Sequence, residues 1–159
     1  MMQVKSSDHV VVITDASCFI ILHKIDALEL LHKLFSTVLT IPEIAEEYGM
    51  ALPDWVTVIS VRDKKLQNDL AFIVDPGEAS AIALAHEIES NYLITDDLQA
   101  RKLATKLGLT IIGTLGILLR AKQKSHIDLL RPYLERIVKT NFRISSDLID
   151  RVLKESGET

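Results

Sequence analysis

Several acidic side chains of this 159-residue chain stand where predicted strands end or predicted helices begin. The carboxyl ends of parallel strands share one edge of a sheet, and ligands bind in the crevice beyond that edge. Carboxylates crowded there repel each other, by about 4 kcal/mol for a pair at ~4 Å and an effective dielectric of ~20. A divalent cation removes that cost, and oxygen ligands favour Mg²⁺ or Mn²⁺. The candidates for such a site are Asp15, Glu47, Glu78, Asp96 and Asp97.

Each of these acids also has an ordinary structural explanation. Asp15 is placed to cap a following helix, and one of Asp96 and Asp97 is expected to cap the next helix. Glu78 would favour the positive end of its helix, and Glu47 could lie on a solvated helix face. The joint pattern, rather than any single residue, therefore indicates a cation site.

Strands alternate with helices along the chain. Apolar and β-branched runs predict strands at 10–14, 37–41, 92–95 and 109–112, and either a strand or a loop at 55–61. A helix is expected to carry Leu28, Leu31 and Leu34 on one face, and Pro42 opens another. Further helices are predicted at 62–74, 78–90, 98–107, 113–124, 128–138 and 146–154. Such alternation is typical of βαβ units, so we predict a three-layer α/β/α fold with a central, mostly parallel sheet.

The length and composition fit one globular domain. Apolar residues make up 48% and charged residues 25% of the chain, which is ordinary for a folded protein. We divide it into an N-terminal extension (1–9), a core (10–125) and C-terminal helices (126–159) that pack on or extend from the core. The single cysteine, Cys18, excludes an internal disulfide and a cysteine-rich zinc site. Without a membrane-length apolar run or a signal peptide, we expect a cytoplasmic protein with no membrane contact.

The charge is divided unevenly along the chain. The formal net charge is −4, which argues against a simple electrostatic nucleic-acid binder. Residues 1–100 carry 6 basic and 16 acidic side chains, whereas residues 101–159 carry 12 basic and 6 acidic ones. The first part could hold cations and the second could face phosphate. Ordinary surface variation would give the same division.

Five short motifs occur in an order that is similar to a known family. They are Val12-Ile-Thr-Asp-Ala-Ser17, Ile41-Pro-Glu-Ile-Ala-Glu-Glu-Tyr48, Asp75-Pro-Gly-Glu-Ala-Ser-Ala-Ile-Ala-Leu-Ala85, Leu93-Ile-Thr-Asp-Asp97 and Ile112-Gly-Thr-Leu-Gly-Ile-Leu-Leu-Arg-Ala-Lys122. Together they resemble the PIN-domain superfamily of metal-dependent ribonucleases, and within it a prokaryotic group related to VapC-like toxins. The stretch Phe142-Arg-Ile-Ser145 resembles the C-terminal segment of that group. The resemblance implies a PIN-like fold.

The resemblance gives each acid a role. It implies that Asp15 and Glu78 bind metal, together with one or both of Asp96 and Asp97. It places Glu47 as the catalytic acid on the helix after the second strand, with Glu43 as a less favoured substitute. All five candidate acids are thereby catalytic.

The resemblance also covers neighbours of the acids. Ser17 and Thr95 match small hydroxyl residues that would hydrogen-bond the acids rather than attack the substrate. Two positions depart from the pattern. Cys18 stands where near relatives often have proline, and Glu78 stands where many have aspartate, which extends the ligand by one methylene.

The activity implied by the resemblance is hydrolysis of RNA phosphodiester bonds by a Mg²⁺- or Mn²⁺-dependent endoribonuclease. The metal would activate water, so no side-chain nucleophile is required. The implied partners are the RNA substrate, a small antitoxin protein of a type II toxin–antitoxin pair, and a second copy of the chain in a homodimer. Candidates for holding the RNA backbone are Arg101, Lys102, Arg120, Lys122 and Lys124.

Other classes fit the residues less well. A dinucleotide-binding domain would carry Gly-x-Gly-x-x-Gly after the first strand, where this chain has Asp15-Ala-Ser-Cys18. A phosphatase with an aspartyl nucleophile would need an aspartate at the position of Ser17. The alternative that stays open is a PIN-like RNA-binding or protein-interaction module whose catalytic site is impaired.

Overall fold

A five-stranded, all-parallel sheet forms the centre of the protein, in a computed structural model that describes residues 9–158. The strands are β1 (Val11–Thr14), β2 (Thr37–Thr40), β3 (Val56–Val58), β4 (Tyr92–Ile94) and β5 (Ile111–Ile112). Their order across the sheet is β3-β2-β1-β4-β5. This arrangement confirms the predicted α/β class and is consistent with the PIN fold.

Helices connect the strands and flank the sheet. They are α1 (Ala16–Lys24), α2 (Glu29–Leu34), α3 (Pro42–Tyr48), α4 (Lys64–Leu70), α5 (Pro76–Glu87), α6 (Leu98–Lys106), α7 (Thr114–Gln123), α8 (Arg131–Val138) and α9 (Ser146–Glu155). The predicted extension, residues 1–9, falls outside the described residues apart from His9. No helix within residues 9–158 is long and apolar enough to cross a membrane.

The central strand β1 is buried because it has a neighbour on each side and helices above and below. Val12 pairs with Val38 of β2 and with Tyr92 of β4, and both Val12 and Ile13 are fully buried. A continuous β-branched run is what such a strand requires. The parallel pairing brings the residues that follow β1, β4 and β5 to one edge of the sheet, which is where the acids were expected.

Two local predictions needed revision. The apolar segment after β1 is two helices rather than one, because Asp26 adopts a positive φ of 59° between α1 and α2. Helix α5 begins at Pro76 and not at Glu78, since the Asp75 side chain caps it by accepting a hydrogen bond from the Glu78 amide. Glu78 therefore lies inside the first turn, with its side chain directed into the protein.

The C-terminal helices pack against the same core as the sheet. Leu134 and Ile137 of α8 and Val152 and Leu153 of α9 are buried there. Beyond α9, the Glu158 carboxylate accepts hydrogen bonds from the Leu130 amide (2.6 Å) and the Lys122 ammonium (2.7 Å). These bonds join the end of the chain to α7 and to the start of α8.

Candidate functional site

Asp15 lies at the end of β1 and caps α1. Its Oδ1 atom accepts a hydrogen bond from the backbone amide of Cys18 (2.9 Å), and its side chain is only 1% exposed. Its other oxygen, Oδ2, is buried and receives no hydrogen bond from a donor. Buried carboxylate oxygens are normally paired, because an unpaired one loses its hydration without compensation. The helix cap therefore accounts for Oδ1 of Asp15 but not for the buried Oδ2.

Glu78 comes to the same place from the first turn of α5. Its side chain is 7% exposed, and its Oε1 atom accepts a hydrogen bond from the Thr95 hydroxyl (3.1 Å). The Thr95 hydroxyl in turn accepts a hydrogen bond from the Asp97 amide (3.2 Å). Thr95, which follows β4, thus fixes the position of the Glu78 carboxyl group.

Asp15 and Glu78 form a carboxyl pair. Burial and the neighbouring negative charge of Asp96 raise the pKa of Asp15, and burial and the charge of Asp15 raise the pKa of Glu78. When Glu78 is protonated, it can donate a hydrogen bond to the Asp15 carboxylate. When both groups are ionised, Asp15 Oδ2 is buried without a hydrogen-bond partner. The pair therefore holds either a proton or an uncompensated negative charge.

Asp96 and Asp97 have different roles, which their adjacency in sequence did not reveal. Asp97 caps α6, since its Oδ2 atom accepts a hydrogen bond from the Ala100 amide (2.9 Å). Asp96 instead accepts hydrogen bonds from the amide (2.9 Å) and the hydroxyl (2.5 Å) of Thr114 at the start of α7. The negative charge of Asp96 also raises the pKa of Asp15, so Asp96 is close enough to act on the carboxyl pair.

Glu47 and Glu43 lie further out, on α3. Glu47 is exposed, and its Oε1 atom would be 2.6 Å from a Cβ at Gly77, so its carboxylate reaches over the start of α5. Partial burial and the negative charge of Asp75 raise the pKa of Glu47. Glu43 accepts a hydrogen bond from the Gln67 side chain (2.6 Å) and is thereby directed towards α4. Glu47 is thus at the rim of the acidic site, and Glu43 is directed away from it.

The hydroxyl of Ser17 does not make the predicted hydrogen bond to the acids. Ser17 is exposed, and the hydrogen bond to Asp15 comes from the Cys18 amide. Cys18 is free and buried, and burial together with the charge of Asp15 raises the pKa of its thiol. A neutral thiol at this position packs beside the acids without adding another negative charge.

One of the predicted basic residues lies at the site. The Arg101 guanidinium donates a hydrogen bond to the Thr95 carbonyl (3.1 Å). A Cβ at Gly113 would be 2.8 Å from Arg101 Nη1 and 2.6 Å from Asp96 Oδ1, so both side chains lie over this glycine. Arg101 is therefore the predicted backbone contact that the fold brings next to the acids.

The structure does not bring the other predicted basic residues to this edge. Arg120 stacks on Tyr92 and donates to its hydroxyl (2.9 Å), at the opposite end of β4. Lys122 forms an ion pair with Glu158 (2.7 Å). Lys124 follows the last turn of α7, whereas the site is at its first turn, and Lys102 is exposed on α6. Arg120 and Lys122 therefore have intramolecular partners, which account for their presence without a role in RNA binding.

Two residues of the site were missed from sequence. Thr114 holds Asp96, and Asp75 caps the helix that presents Glu78. A signal existed for each. Gly113-Thr114 opens a helix, and a helix start can bind an anion; here the anion is the carboxylate of Asp96. Asp75-Pro-Gly-Glu78 has the spacing of a capping motif.

The donor set fits a divalent cation that binds few protein ligands. Within residues 9–158, no three acidic, histidine or cysteine side chains are close enough to form a complete metal site. Mg²⁺ commonly binds one or two carboxylates and completes its octahedron with water and substrate phosphate. Asp15 Oδ2, which is unpaired, and the Glu78 carboxyl group beside it would supply the oxygen ligands that such a cation needs.

Together the sheet and the site define an α/β domain with an acidic crevice at the carboxyl edge of parallel strands. The chain belongs to the PIN-domain family: a model of that family (DUF3368) matches residues 11–158. PIN domains are typically nucleases, and PIN nucleases generally use divalent metals. A comparison with curated protein sequences gave no match.

Proposed function

We propose that this protein is a metal-dependent ribonuclease that hydrolyses RNA phosphodiester bonds in the acidic crevice. One observation carries the proposal. Asp15 Oδ2 is buried without a donor, although the Glu78 carboxyl and the charge of Asp96 are close to it. Such an arrangement is costly unless a proton or a cation compensates the charge. Membership of a family whose domains are typically nucleases supports the same function.

Asp15 and Glu78 are the residues that would hold Mg²⁺ or Mn²⁺ directly, and Asp96 would add negative charge close to them. A bound ion would lower the pKa of a coordinated water and neutralise charge on the phosphate. Thr95 keeps the Glu78 carboxyl in place, and Thr114 keeps that of Asp96 in place. Such supporting hydrogen bonds orient ligands before substrate arrives. Asp97 contributes indirectly, by fixing the start of α6 next to Thr95.

Glu47 has a different role in the proposed reaction. It is exposed at the rim, where burial and the charge of Asp75 raise its pKa. A carboxylate with a raised pKa accepts a proton more readily than an ordinary surface glutamate does. Glu47 would therefore orient the attacking water or take its proton, without contacting the metal directly.

The resemblance to VapC-like proteins extends the proposal to partners and location. We propose a cytoplasmic homodimer that serves as the toxin of a type II pair and is inhibited by a small antitoxin protein. Growth arrest on expression, relieved when a small adjacent open reading frame is co-expressed, would support this role. Normal growth during expression of active wild-type protein would contradict it. Light scattering on a sizing column would measure the oligomeric state.

The nuclease is tested by incubating a mixed RNA pool with purified protein and Mg²⁺ or Mn²⁺. Wild type is compared with Asp15→Asn, with an EDTA control and with Asp54→Asn, which removes an exposed acid outside the site. We expect cleavage by wild type and Asp54→Asn, and none by Asp15→Asn or in EDTA. Cleavage that persists equally in Asp15→Asn would show that the activity does not belong to this site.

A second function is favoured by the absence of a three-ligand cluster in residues 9–158. The same domain could bind RNA or another protein without cleaving RNA. RNA binding that is insensitive to EDTA, with no cleavage by folded wild type under either metal, would support this module. A matched loss of metal binding and of cleavage in Asp15→Asn would support the enzyme.

A further inference from the structure

A basic pocket lies at the end of α1 that is far from the acidic crevice. Its volume is about 570 Å³, and it is formed where the last residue of α1 meets the end of α8. The residues that line it are Lys24, Arg136, Lys139, Thr140 and Asn141. Because Asp15 caps the opposite end of this 9-residue helix, the pocket is roughly 13 Å from Asp15 along α1. It is therefore separate from the proposed catalytic site.

The basic pocket concentrates positive charge without a compensating acid. Within residues 9–158, no acidic side chain lines it, and its three cations have no ion-pair partner. Neutral groups hold two of them. The Arg136 guanidinium donates to the Ile25 carbonyl (3.0 Å) and lies over the Tyr133 ring, and the Lys24 ammonium donates to Asn141 Oδ1 (3.3 Å). Uncompensated like charges that converge in this way create a field that attracts an anion.

Two helix ends account for part of this charge, but not for all of it. Lys24 ends α1 and Lys139 follows the last residue of α8. Each helix C-terminus carries about half a negative charge, so the three cations leave an excess of about two positive charges. A phosphate monoester carries about −1.5 to −2 near neutral pH, whereas a phosphodiester or a carboxylate carries a single negative charge. The basic pocket thus matches a terminal phosphate group.

A second pocket, here called the ring pocket, adjoins the first at Arg136, which lines both. Its volume is about 420 Å³, and its surface includes Tyr133, Pro132 and Leu129. Flat rings bind against aromatic and apolar surfaces of this kind. Asp128 is the acid that lines the ring pocket, and a carboxylate can accept hydrogen bonds from ribose hydroxyl groups. One arginine therefore joins a surface for phosphate to a surface for a ring.

We infer that the two pockets together form a binding site for a nucleoside monophosphate. Lys24, Arg136 and Lys139 would bind the terminal phosphate, and the fork of guanidinium donors suits its oxygens. The base would lie in the ring pocket against Tyr133. An acidic peptide would bring its charges singly, on separate side chains, and so matches three cations in one pocket less well. This site is independent of the proposed ribonuclease, because none of its residues belongs to the acidic crevice.

The test measures binding by titration calorimetry on the whole chain in EDTA, so that no metal ion can hold a phosphate in the acidic crevice. The ribonucleoside 5′-monophosphates are compared with their nucleosides, with inorganic phosphate and with a dinucleotide whose one phosphate is an internal diester. The pocket variant, Lys24→Ala/Lys139→Ala, removes two cations of the basic pocket. Its control, Lys33→Ala/Lys154→Ala, removes exposed lysines in last helical turns outside both pockets. Thermal denaturation verifies that both variants are folded.

We expect at least one monophosphate to bind about tenfold or more tightly than its nucleoside or inorganic phosphate, because it engages both pockets at once. The pocket variant should weaken this binding about tenfold or more, since charge-assisted hydrogen bonds are lost. The control should change the affinity less than about threefold. The dinucleotide should bind more weakly than the monophosphate. Binding should also raise the Tm of wild type, as a ligand of the folded state does.

Tyr133→Leu tests the ring pocket by replacing the aromatic ring with an aliphatic side chain. Arg136 keeps its hydrogen bond to the Ile25 carbonyl, so inorganic phosphate should bind as it does to wild type. The preference for the monophosphate over inorganic phosphate should fall about threefold or more, because base–ring stacking is lost. No saturable binding by any monophosphate, or equal affinities for the pocket variant and the control, would overturn the site. Equal binding of inorganic phosphate, or of the dinucleotide, would overturn the assignment to a nucleoside monophosphate.

Discussion

Both carboxylate oxygens of Asp96 accept hydrogen bonds from the same residue, Thr114, through its amide and its hydroxyl. Asp96 follows β4 and Thr114 follows β5, so the contact joins two neighbouring strand ends. The positive end of α7 contributes as well, because its first amide points at the carboxylate. The two hydrogen bonds fix the Asp96 carboxylate at the start of α7 before any cation or substrate is bound.

Replacing Thr114 tests that orientation. Thr114→Val keeps the volume but removes the hydroxyl, so Asp96 loses one of its two hydrogen bonds. We expect a 10–100-fold loss of Mg²⁺ affinity or of cleavage, the usual effect of removing a supporting partner, and a stability loss of about 1–2 kcal/mol. Thr114→Ser retains the donor and should behave nearly as wild type. Equal Mg²⁺ affinity in the valine and serine variants, measured by titration calorimetry, would contradict this role.

Removing a charge from the carboxyl pair should stabilise the protein when no divalent cation is present. In Asp15→Asn the side-chain oxygen can still accept from the Cys18 amide, while the new amide group can donate to Glu78. We expect the unfolding free energy in EDTA at pH 8 to rise by about 1–3 kcal/mol, because a buried ionised carboxylate is replaced by a neutral amide. Mg²⁺ should raise the Tm of wild type but not of the variant. A lower Tm for Asp15→Asn in EDTA would contradict the claim that the buried negative charge destabilises the metal-free protein.

The same pair predicts how stability changes with pH. Since the pKa values of Asp15 and Glu78 are raised in the folded state, the folded protein binds more protons than the unfolded chain above about pH 4. In EDTA, stability contributed by the pair should therefore fall as the pH rises from about 4 through the raised pKa values. Mg²⁺ replaces the protons, so its stabilising effect should grow over the same range. Tm measured from pH 5 to 9 with EDTA or Mg²⁺ checks this, and a Mg²⁺ effect independent of pH would count against it.

Local sequence patterns were sufficient for four of the five strands, most helix starts and the placement of Asp15, whereas 55–61 was left open between a strand and a loop. A buried parallel strand needs a β-branched run, and an acid directly after it must lie at the carboxyl edge of the sheet. The choice between Asp96 and Asp97 could not be made locally. It depends on Thr114, which lies 18 residues further along the chain. A partner so distant in sequence leaves no periodic pattern around the aspartates.

The basic residues show the same limit of prediction from local sequence. Composition and charge division pointed to the C-terminal part of the chain, but Arg120 and Lys122 are held by Tyr92 and Glu158 instead. A charged side chain looks equally free in sequence whether or not the fold supplies a partner.

Gly113 offers a test of close packing at the site. Its φ of −101° is open to any residue, but an added Cβ would lie 2.6 Å from Asp96 Oδ1 and 2.8 Å from Arg101 Nη1. Gly113→Ala should therefore displace both side chains, and we expect a 10–100-fold loss of Mg²⁺ affinity or of cleavage. Gly116→Ala is the matched control, since its Cβ would meet Ile112 and no acid. If the control lost as much Mg²⁺ affinity at equal Tm, displacement of Asp96 would not be the cause.

Glu158 provides a prediction away from the acidic site. Burial alone would raise its pKa, but hydrogen bonds from the Leu130 amide, the Lys122 ammonium and the Arg131 amide lower it to about 2. Its stabilising effect should be present above the pKa of about 4.3 in the unfolded chain and be lost as the pH falls through the folded value. This acid-side loss is opposite in sign to the effect of the carboxyl pair.

Substitution of Glu158 measures that contribution at neutral pH. The Glu158 side chain is 7% and the Lys122 side chain 20% exposed, so solvent screens the pair only partly. We expect Glu158→Gln to lower the unfolding free energy by about 1–3 kcal/mol. A double-mutant cycle with Lys122→Met should return a coupling of about 0.5–3 kcal/mol. Hydrogen exchange should rise mainly in α9 and at the start of α8, because Glu158 joins these segments. Additive effects of the two substitutions would show that the ion pair does not hold the C-terminal helices in place.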